Sequence, residues 1–89
     1  MNTNPTPQAH IVFTDFDGLE GILVDLNTKK YYQLNETATL IWKGLDNGHD
    51  PAAIADDIGA QYEVTPEAAL QNVEKTVAQF AAYKLVTES

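Results

Sequence analysis

The feature that most constrains the fold of this chain is a change of hydrophobic period within residues 21–42. Residues 22–26 predict a strand in which Ile22, Val24 and Leu26 alternate with Leu23 and Asp25. A short connection follows at 27–29, and residues 30–34 are again rich in strand-forming residues. From Ala38 onward, apolar residues recur three or four positions apart, which indicates a helix. We therefore expect a β-hairpin whose last strand forms a free sheet edge beside helices. Such an edge can bind an extended peptide through main-chain hydrogen bonds.

The remaining segments complete a β-β-β-α-α-α order. His10–Thr14 is β-branched and aromatic and predicts the first strand. The three helices are expected to begin after the N-cap residues Asn35, Asp50 and Thr65, the last two being followed by proline. The inner faces are predicted to carry Ala38, Ile41, Trp42 and Leu45 in the first helix and Ile54, Ala55, Ile58 and Tyr62 in the second. The residues that lie three or four positions apart along the third helix are Leu70, Val73, Val77, Phe80 and Lys84. The expected fold is α+β, a three-stranded antiparallel β-meander covered by three α-helices, with a winged-helix-like content of elements.

The length of 89 residues predicts one domain with a small core. Residues 1–8 contain Pro5 and Pro7 and are expected to form a disordered N-terminal arm. Residues 9–86 are expected to form the domain, and residues 87–89 a C-terminal tail. The N-terminal segment has no apolar run, so we expect neither a signal peptide nor a membrane span and place the protein in the cytoplasm.

The charge balance argues against binding to nucleic acid. The chain carries five lysines, no arginine and thirteen carboxylates, for a net charge of −8, whereas phosphate backbones are bound by clustered Lys and Arg. The negative charge is consistent with solubility or with attraction to a basic partner. Cysteine is absent, which excludes disulfides and thiolate chemistry.

No set of residues in the sequence predicts catalysis, a metal site or a cofactor site. The only serine is Ser89, and His10 and His49 lie in no recognisable motif. The segment Asp15-Phe16-Asp17-Gly18 lacks the ligand spacing of a calcium loop, so turn formation explains it. We therefore expect a protein that is not an enzyme and has no cofactor.

Residues 25–42 follow the pattern Asp-Leu-x-Thr-x-x-Tyr-Tyr-x-Leu-Asn-Glu-Thr-Ala-x-x-Ile-Trp. Its most specific parts are the junction Leu34-Asn35-Glu36, the pair Ile41-Trp42 and the loop around Gly48. This pattern resembles the PqqD-like family, the leader-recognition elements of pathways for ribosomally made, post-translationally modified peptides. The resemblance covers about residues 9–86. It implies three strands followed by three helices, in agreement with the pattern of elements above.

The resemblance also implies a function. Members of this family are not enzymes; they bind the leader of a precursor peptide and deliver it to a modifying enzyme or leader peptidase. The leader adds as a strand to the third strand and lies against the third helix. Carried over to this sequence, the edge corresponds to Lys30, Tyr31, Tyr32, Gln33 and Leu34, and the helix wall to candidates among Val73, Thr76, Val77 and Phe80. Some of these helix residues must instead be core, and one of the two tyrosines is expected to face the core.

Three alternatives stay open at the level of sequence. Members from the pyrroloquinoline-quinone pathway carry a proline-glutamate-glycine signature where this chain has residues 26–29, Leu-Asn-Thr-Lys, which favours a lasso-peptide pathway instead. The fold content also fits a winged-helix DNA-binding regulator, although the charge does not. A structural subunit without a peptide groove is the third possibility.

Overall fold

The computed structural model describes residues 6–16 and 20–87, and it has the predicted order of three strands followed by three helices. The strands are β1 (Ile11–Asp15), β2 (Gly21–Asp25) and β3 (Tyr31–Leu34). The helices are α1 (Glu36–Asp46), α2 (Pro51–Tyr62) and α3 (Pro66–Ala82). The predicted α+β fold is confirmed, with strand boundaries shifted by about one residue.

The three strands form an antiparallel sheet in the order β1-β2-β3. Leu23 at the centre of β2 faces Phe13 on one side and Tyr32 on the other, and it is completely buried. Gly21 is required in this sheet because a Cβ atom there would lie 2.3 Å from the ring of Phe13. The short strands therefore form one layer, with Leu23 in the middle of its inner face.

The helices begin where the sequence predicts. Each N-cap side chain accepts a hydrogen bond from the main-chain N–H three residues later, which satisfies one donor of the first turn. The predicted caps Asn35, Asp50 and Thr65 are thereby confirmed. Within the described part of the chain, no helix combines the length and the apolar character needed to cross a membrane.

The core lies between the sheet and the three helices. Its most deeply buried side chains come from every layer and include Leu23, Ile41, Leu45, Val73 and Leu85. Trp42 of α1 meets Phe80 of α3 edge to face, with 5.4 Å between ring centroids, a favoured aromatic geometry. Thr39 is buried in α1 although its polar side chain gave no such signal in the sequence.

One residue predicted for the inner face of α2 lies elsewhere. Tyr62 is 37% exposed, and its hydroxyl donates a hydrogen bond to Glu36 at the start of α1. This hydrogen bond raises the pKa of the Tyr62 phenol. The last turn of α2 is exposed, so Tyr62 links α2 to the start of α1 by a hydrogen bond instead of packing into the core.

Residues Thr6–Gln8 also differ from expectation, since the sequence assigned them to a disordered arm. Pro7 forms an isolated antiparallel bridge with Val86. Gln8 N–H donates to the Leu85 carbonyl at 3.0 Å, and Thr87 N–H donates to the Thr6 carbonyl at 2.7 Å. Main-chain pairing between the two ends of the chain orders this segment, including Thr87 of the predicted tail. Residues 1–5, 88 and 89 lie outside the described residues.

Candidate functional site

The outer side of β3 is a free edge of the sheet. Asp25 N–H donates to the Lys30 carbonyl at 2.9 Å, which fixes which residues of β3 exchange hydrogen bonds with β2. In an antiparallel pair these residues alternate, so Tyr32 and Leu34 pair inward whereas Tyr31 and Gln33 direct their N–H and C=O groups outward. Within residues 6–16 and 20–87, no other strand pairs with this outer side.

A groove of about 550 Å³ lies beside this edge, between β3 and α3. The strand forms one wall, the start of α1 closes one end, and α3 forms the opposite wall. The lining residues are Tyr31, Tyr32, Gln33, Leu34, Asn35, Thr37, Ala38, Asn72, Thr76, Gln79, Phe80, Tyr83 and Leu85.

The structure brings six of the nine sequence-predicted site residues to this groove. They are Tyr31, Tyr32, Gln33 and Leu34 on the strand and Thr76 and Phe80 on the helix. The two tyrosines point to opposite faces of the sheet, as alternation requires. Tyr31 is 72% exposed, whereas Tyr32 is half-buried and packs against the core.

The other three predicted residues do not line the groove. Val73 is completely buried and Val77 is packed against the core, because both lie on the side of α3 that faces the other helices. Lys30 lies in a neighbouring cleft instead. Two of the four helix candidates, Thr76 and Phe80, thus line the groove, and the rest of the helix wall is a polar stripe of α3.

Sequence reasoning missed most of that polar stripe. Asn72, Gln79 and Tyr83 line the groove together with Thr76, at successive spacings of four, three and four residues. These intervals place all four on one face of a helix. The helical spacing of these polar residues is visible in the sequence, but a search for apolar periodicity does not find a polar face.

The groove has the chemistry of a peptide-binding surface. None of the residues that line it carries a charge at neutral pH. Amide and hydroxyl groups of Asn72, Thr76 and Gln79 can donate and accept hydrogen bonds. The rings of Tyr32 and Tyr83 lie 5.2 Å apart and provide an apolar floor. Such a surface can accommodate the main chain and side chains of an extended peptide.

A second cleft of about 470 Å³ continues past these two tyrosine rings. It lies at the end of the groove where β3 begins and α3 ends, and we call it the end cleft. Its lining consists of Gln8, His10, Asp25, Asn27, Thr28, Lys30, Tyr32, Ala82, Tyr83 and Lys84.

The one carboxylate in the lining of the end cleft is held by the turn after β2. Asp25 is buried, and its Oδ1 accepts the main-chain N–H groups of Asn27 and Thr28 at 2.8 and 3.1 Å. Burial alone would raise the pKa of Asp25, but the hydrogen bonds from Thr28 and Asn27 and the nearby His10 together lower it. The His10 Nε2 lies 3.8 Å from Oδ1. Asp25 is therefore ionised at neutral pH and stabilises the turn.

Neither region has the arrangement of a metal site. Among the residues that the structure describes, His, Asp and Glu side chains do not come together in groups of three or more that could hold a metal ion. The chain has no cysteine that could add to them. The features of the groove that bear on binding are thus its shape, its hydrogen-bonding groups and the free strand edge beside it.

Comparison with models of known protein families gives a match over most of this chain. The model of coenzyme PQQ synthesis protein D, PqqD, matches residues 20–86, which include β2, β3 and all three helices. The chain belongs to the PqqD family. The resemblance noted in the sequence is thereby confirmed.

Two solved structures are similar to this PqqD-family protein over nearly its whole length. The structure titled "TbiB1 in Complex with the TbiA(beta) Leader Peptide" is 26% identical, with a TM-score of 0.85, and the match covers 91% of this chain and 93% of that one. The structure titled "Lasso peptide synthetase B1 complexed with the leader peptide" is 27% identical, with a TM-score of 0.86 and coverage of 94% and 98%. A comparison with curated proteins finds no match.

Proposed function

We propose that this PqqD-family protein binds the leader of a ribosomally made precursor peptide as an added strand on β3. The observation that carries the proposal is that a free strand edge and an uncharged groove lie side by side. The outward N–H and C=O groups of Tyr31 and Gln33 are the partners that an added strand requires. The two similar structures, both titled as leader-peptide complexes, support it.

The geometry determines how such a peptide would lie. Side chains of an added strand alternate, so every second one would enter the groove towards α3 and the others would face solvent. The residues that enter would contact the rings of Tyr32 and Phe80. The hydrogen-bonding groups of Asn72 and Gln79 would satisfy polar groups of the peptide at the rim. Main-chain bonds would supply affinity and the groove would supply specificity.

The proposed role is binding and delivery without catalysis. The groove presents no cysteine, histidine or carboxylate to activate a nucleophile. We propose that the bound leader is presented to a modifying enzyme or leader peptidase of the same pathway, in the cytoplasm, without any cofactor. Similarity to a protein titled lasso peptide synthetase B1 favours a lasso-peptide pathway with a leader peptidase as partner.

The alternative of a DNA-binding regulator gains no support from the structure. Phosphate contacts require clustered basic side chains. The groove between β3 and α3 is uncharged, and Lys43, one of the five lysines, pairs with Asp15 at 2.8 Å. A peptide, whose main chain is neutral, fits this surface better than a nucleic acid does.

A matched pair of substitutions on α3 tests the proposal. Gln79 lines the groove and Gln71 does not, although both are exposed on the same helix. Calorimetry would use a synthetic peptide with the sequence of the leader encoded beside the gene of this protein. Gln79→Trp should fill the groove and weaken leader binding by at least about tenfold, or about 1.4 kcal/mol. Gln71→Trp should bind the leader as the parent does.

Two outcomes would contradict the proposal. One is the absence of measurable binding by the parent protein at tens of micromolar leader. The other is equal binding by Gln79→Trp and Gln71→Trp. Delivery is tested separately by the rate at which the cognate leader peptidase cleaves the full precursor. Addition of the parent protein should raise that rate and addition of Gln79→Trp should not.

A further inference from the structure

The end cleft continues the groove and has a different electrostatic character. Lys30, just before β3, and Lys84, just after α3, both line it, and both are exposed. We propose that the end cleft is a subsite for a carboxylate of the bound peptide, held between Lys30 and Lys84. This inference rests on the proposed function and adds the charge and the register of the peptide.

The distribution of lysine supports an anionic occupant. The chain has five lysines, and two of them, Lys30 and Lys84, line this one cleft of a molecule whose net charge is −8, with Lys29 next to Lys30 in the sequence. The lining holds two lysines against one carboxylate, Asp25, so Asp25 offsets only part of their positive charge while its Oδ1 accepts the N–H groups of the turn. The half-exposed imidazole of His10 adds a further N–H group to the cleft. A carboxylate entering here would therefore find cationic and hydrogen-bonding partners.

The backbone at Lys84 offers a substitution that separates an effect on stability from an effect on binding. At the end of α1, Gly48 adopts φ +83° and its N–H bonds the Leu45 carbonyl, while His49 N–H bonds the Gly44 carbonyl. This is the usual helix ending, in which glycine adopts the left-handed conformation at no steric cost.

The end of α3 has the same pair of hydrogen bonds, from Lys84 N–H to Ala81 and from Leu85 N–H to Phe80. Here a lysine adopts the left-handed conformation, at φ 59°. A side chain with a Cβ atom is disfavoured at this position. Lysine thus occupies a position at the mouth of the end cleft where glycine would make the more stable ending, as Glu63 does at the end of α2.

A carboxylate subsite at this position would determine how the peptide lies on β3. Main-chain pairing alone permits several registers, and a slip by one residue would turn each side chain of the peptide to the opposite face. An ion pair with Lys30 and Lys84 would select one register, because only one peptide position can reach the end cleft while its neighbours occupy the groove. Specificity for a leader would then come from charge as well as from shape.

Lys84 also lies where a cation complements the negative end of the α3 helix dipole. That role predicts an effect on stability alone and requires no ligand. Two kinds of substitution separate binding of a peptide carboxylate from stabilisation of the helix end. One kind removes the positive charge of the lysines, and the other removes the negative charge of an acidic residue in the peptide.

The experiment measures binding of a C-terminally amidated peptide with the sequence of the leader encoded beside the gene. Each acidic residue of the peptide is replaced in turn by its amide, Asp by Asn or Glu by Gln. The parent protein and the double variant Lys30→Gln/Lys84→Gln are titrated with every peptide. We expect the double variant to bind the unmodified leader at least about tenfold more weakly. One amide replacement should weaken binding to the parent by a similar factor and leave binding to the double variant unchanged.

Three single variants serve as controls. Lys75→Gln removes an exposed lysine of α3 outside both clefts and should leave leader affinity unchanged. Lys84→Gly should raise the melting temperature while it weakens leader binding. Glu63→Gly relieves the same left-handed conformation, φ 53°, at the end of α2 and should raise the melting temperature without an effect on binding.

The outcomes are distinguishable. If the leader binds the parent protein and the lysine variants equally well, the subsite is wrong while the proposed function stands. The subsite is equally wrong if Lys75→Gln has the same effect as the double variant, or if no single amide replacement matters in the parent. If the parent binds no leader peptide at all, the proposed function fails and this inference fails with it.

Discussion

Asp25 shows how one residue can be misjudged from the sequence. Its position in an alternating segment gave no sign that a carboxylate would be 4% exposed on the inner face of the sheet. The structure accounts for this burial, because Asn27 and Thr28 donate main-chain N–H groups to it. Such bonds stabilise the ionised form and hold the turn that leads into β3.

The pKa of Asp25 leads to a prediction of pH dependence. Because the folded state lowers this pKa from 3.8, ionised Asp25 stabilises the fold above that pH, and the contribution is lost as the pH falls through the folded-state value. Asp25→Asn should therefore melt at a lower temperature than the parent at pH 7. The difference should shrink as the pH falls below 3.8 and through the lowered folded-state pKa of Asp25. Thermal melting from pH 7 to pH 2 measures it, with exposed Asp56→Asn as the control. A difference that does not change with pH would contradict the prediction.

The N-caps are the residues that the sequence identified most reliably. Asn35, Asp50 and Thr65 act through a hydrogen bond to a main-chain group three residues away, so the sequence contains both partners. Val77 was harder to place, because a half-buried valine on α3 could face either the core or the groove. Only the packing of α3 against its neighbours decides between them.

At the scale of elements, the register of β3 against β2 determines which groups are free to bind. Alternation along a strand divides β3 into two sets of residues, and the sequence does not indicate which set faces outward. The hydrogen bond from Asp25 N–H to the Lys30 carbonyl resolves this, and the outward residues are Tyr31 and Gln33. Pairing between strands is a long-range property, which explains why the sequence could define the sets but not orient them.

Proline substitution in β3 should separate folding from binding. Gln33→Pro removes an outward N–H, so the fold should survive and leader affinity should fall by at least about tenfold through the lost hydrogen bond and the clash of the ring. Tyr32→Pro removes an N–H that pairs with β2 and should lower the melting temperature markedly. Melting curves and leader titrations of both variants provide the measurement. A folded Gln33→Pro variant with parental leader affinity would exclude β3 as the docking edge.

At the scale of the whole molecule, the chain ends contribute to the fold. Thr6–Gln8 pair with residues 85–87. This contact joins segments that lie about eighty residues apart in the sequence, so local sequence patterns cannot reveal it. Leu85 and Val86 are almost completely buried beneath this pairing. The same C-terminal segment borders the groove through Leu85.

Removal of the N-terminal segment tests this contribution. Deletion of residues 1–8 removes the hydrogen bonds with Leu85 and Thr87 and should lower the free energy of unfolding by about 1–3 kcal/mol. Urea denaturation of the full chain and the shortened chain measures the change. An unchanged midpoint would mean that this pairing does not contribute to stability.

The distribution of charge is also a property of the whole molecule. The sequence gives a net charge of −8 but not its location. In the structure the groove is uncharged and lysines gather at one end of it, so attraction of a basic peptide to the groove itself is not favoured. Composition gives only the sum of the charges, and tertiary structure was needed to show that the groove carries none of them.

The central claim is that a leader peptide pairs with the outer edge of β3. Residue-resolved amide hydrogen exchange by NMR, with and without the leader, tests it most directly. The amides of Tyr32 and Leu34 should be protected in the free protein because they pair with β2. Those of Tyr31 and Gln33 should exchange quickly in the free protein and become protected when the leader binds. Binding of the leader with no gain of protection at Tyr31 and Gln33 would contradict the account.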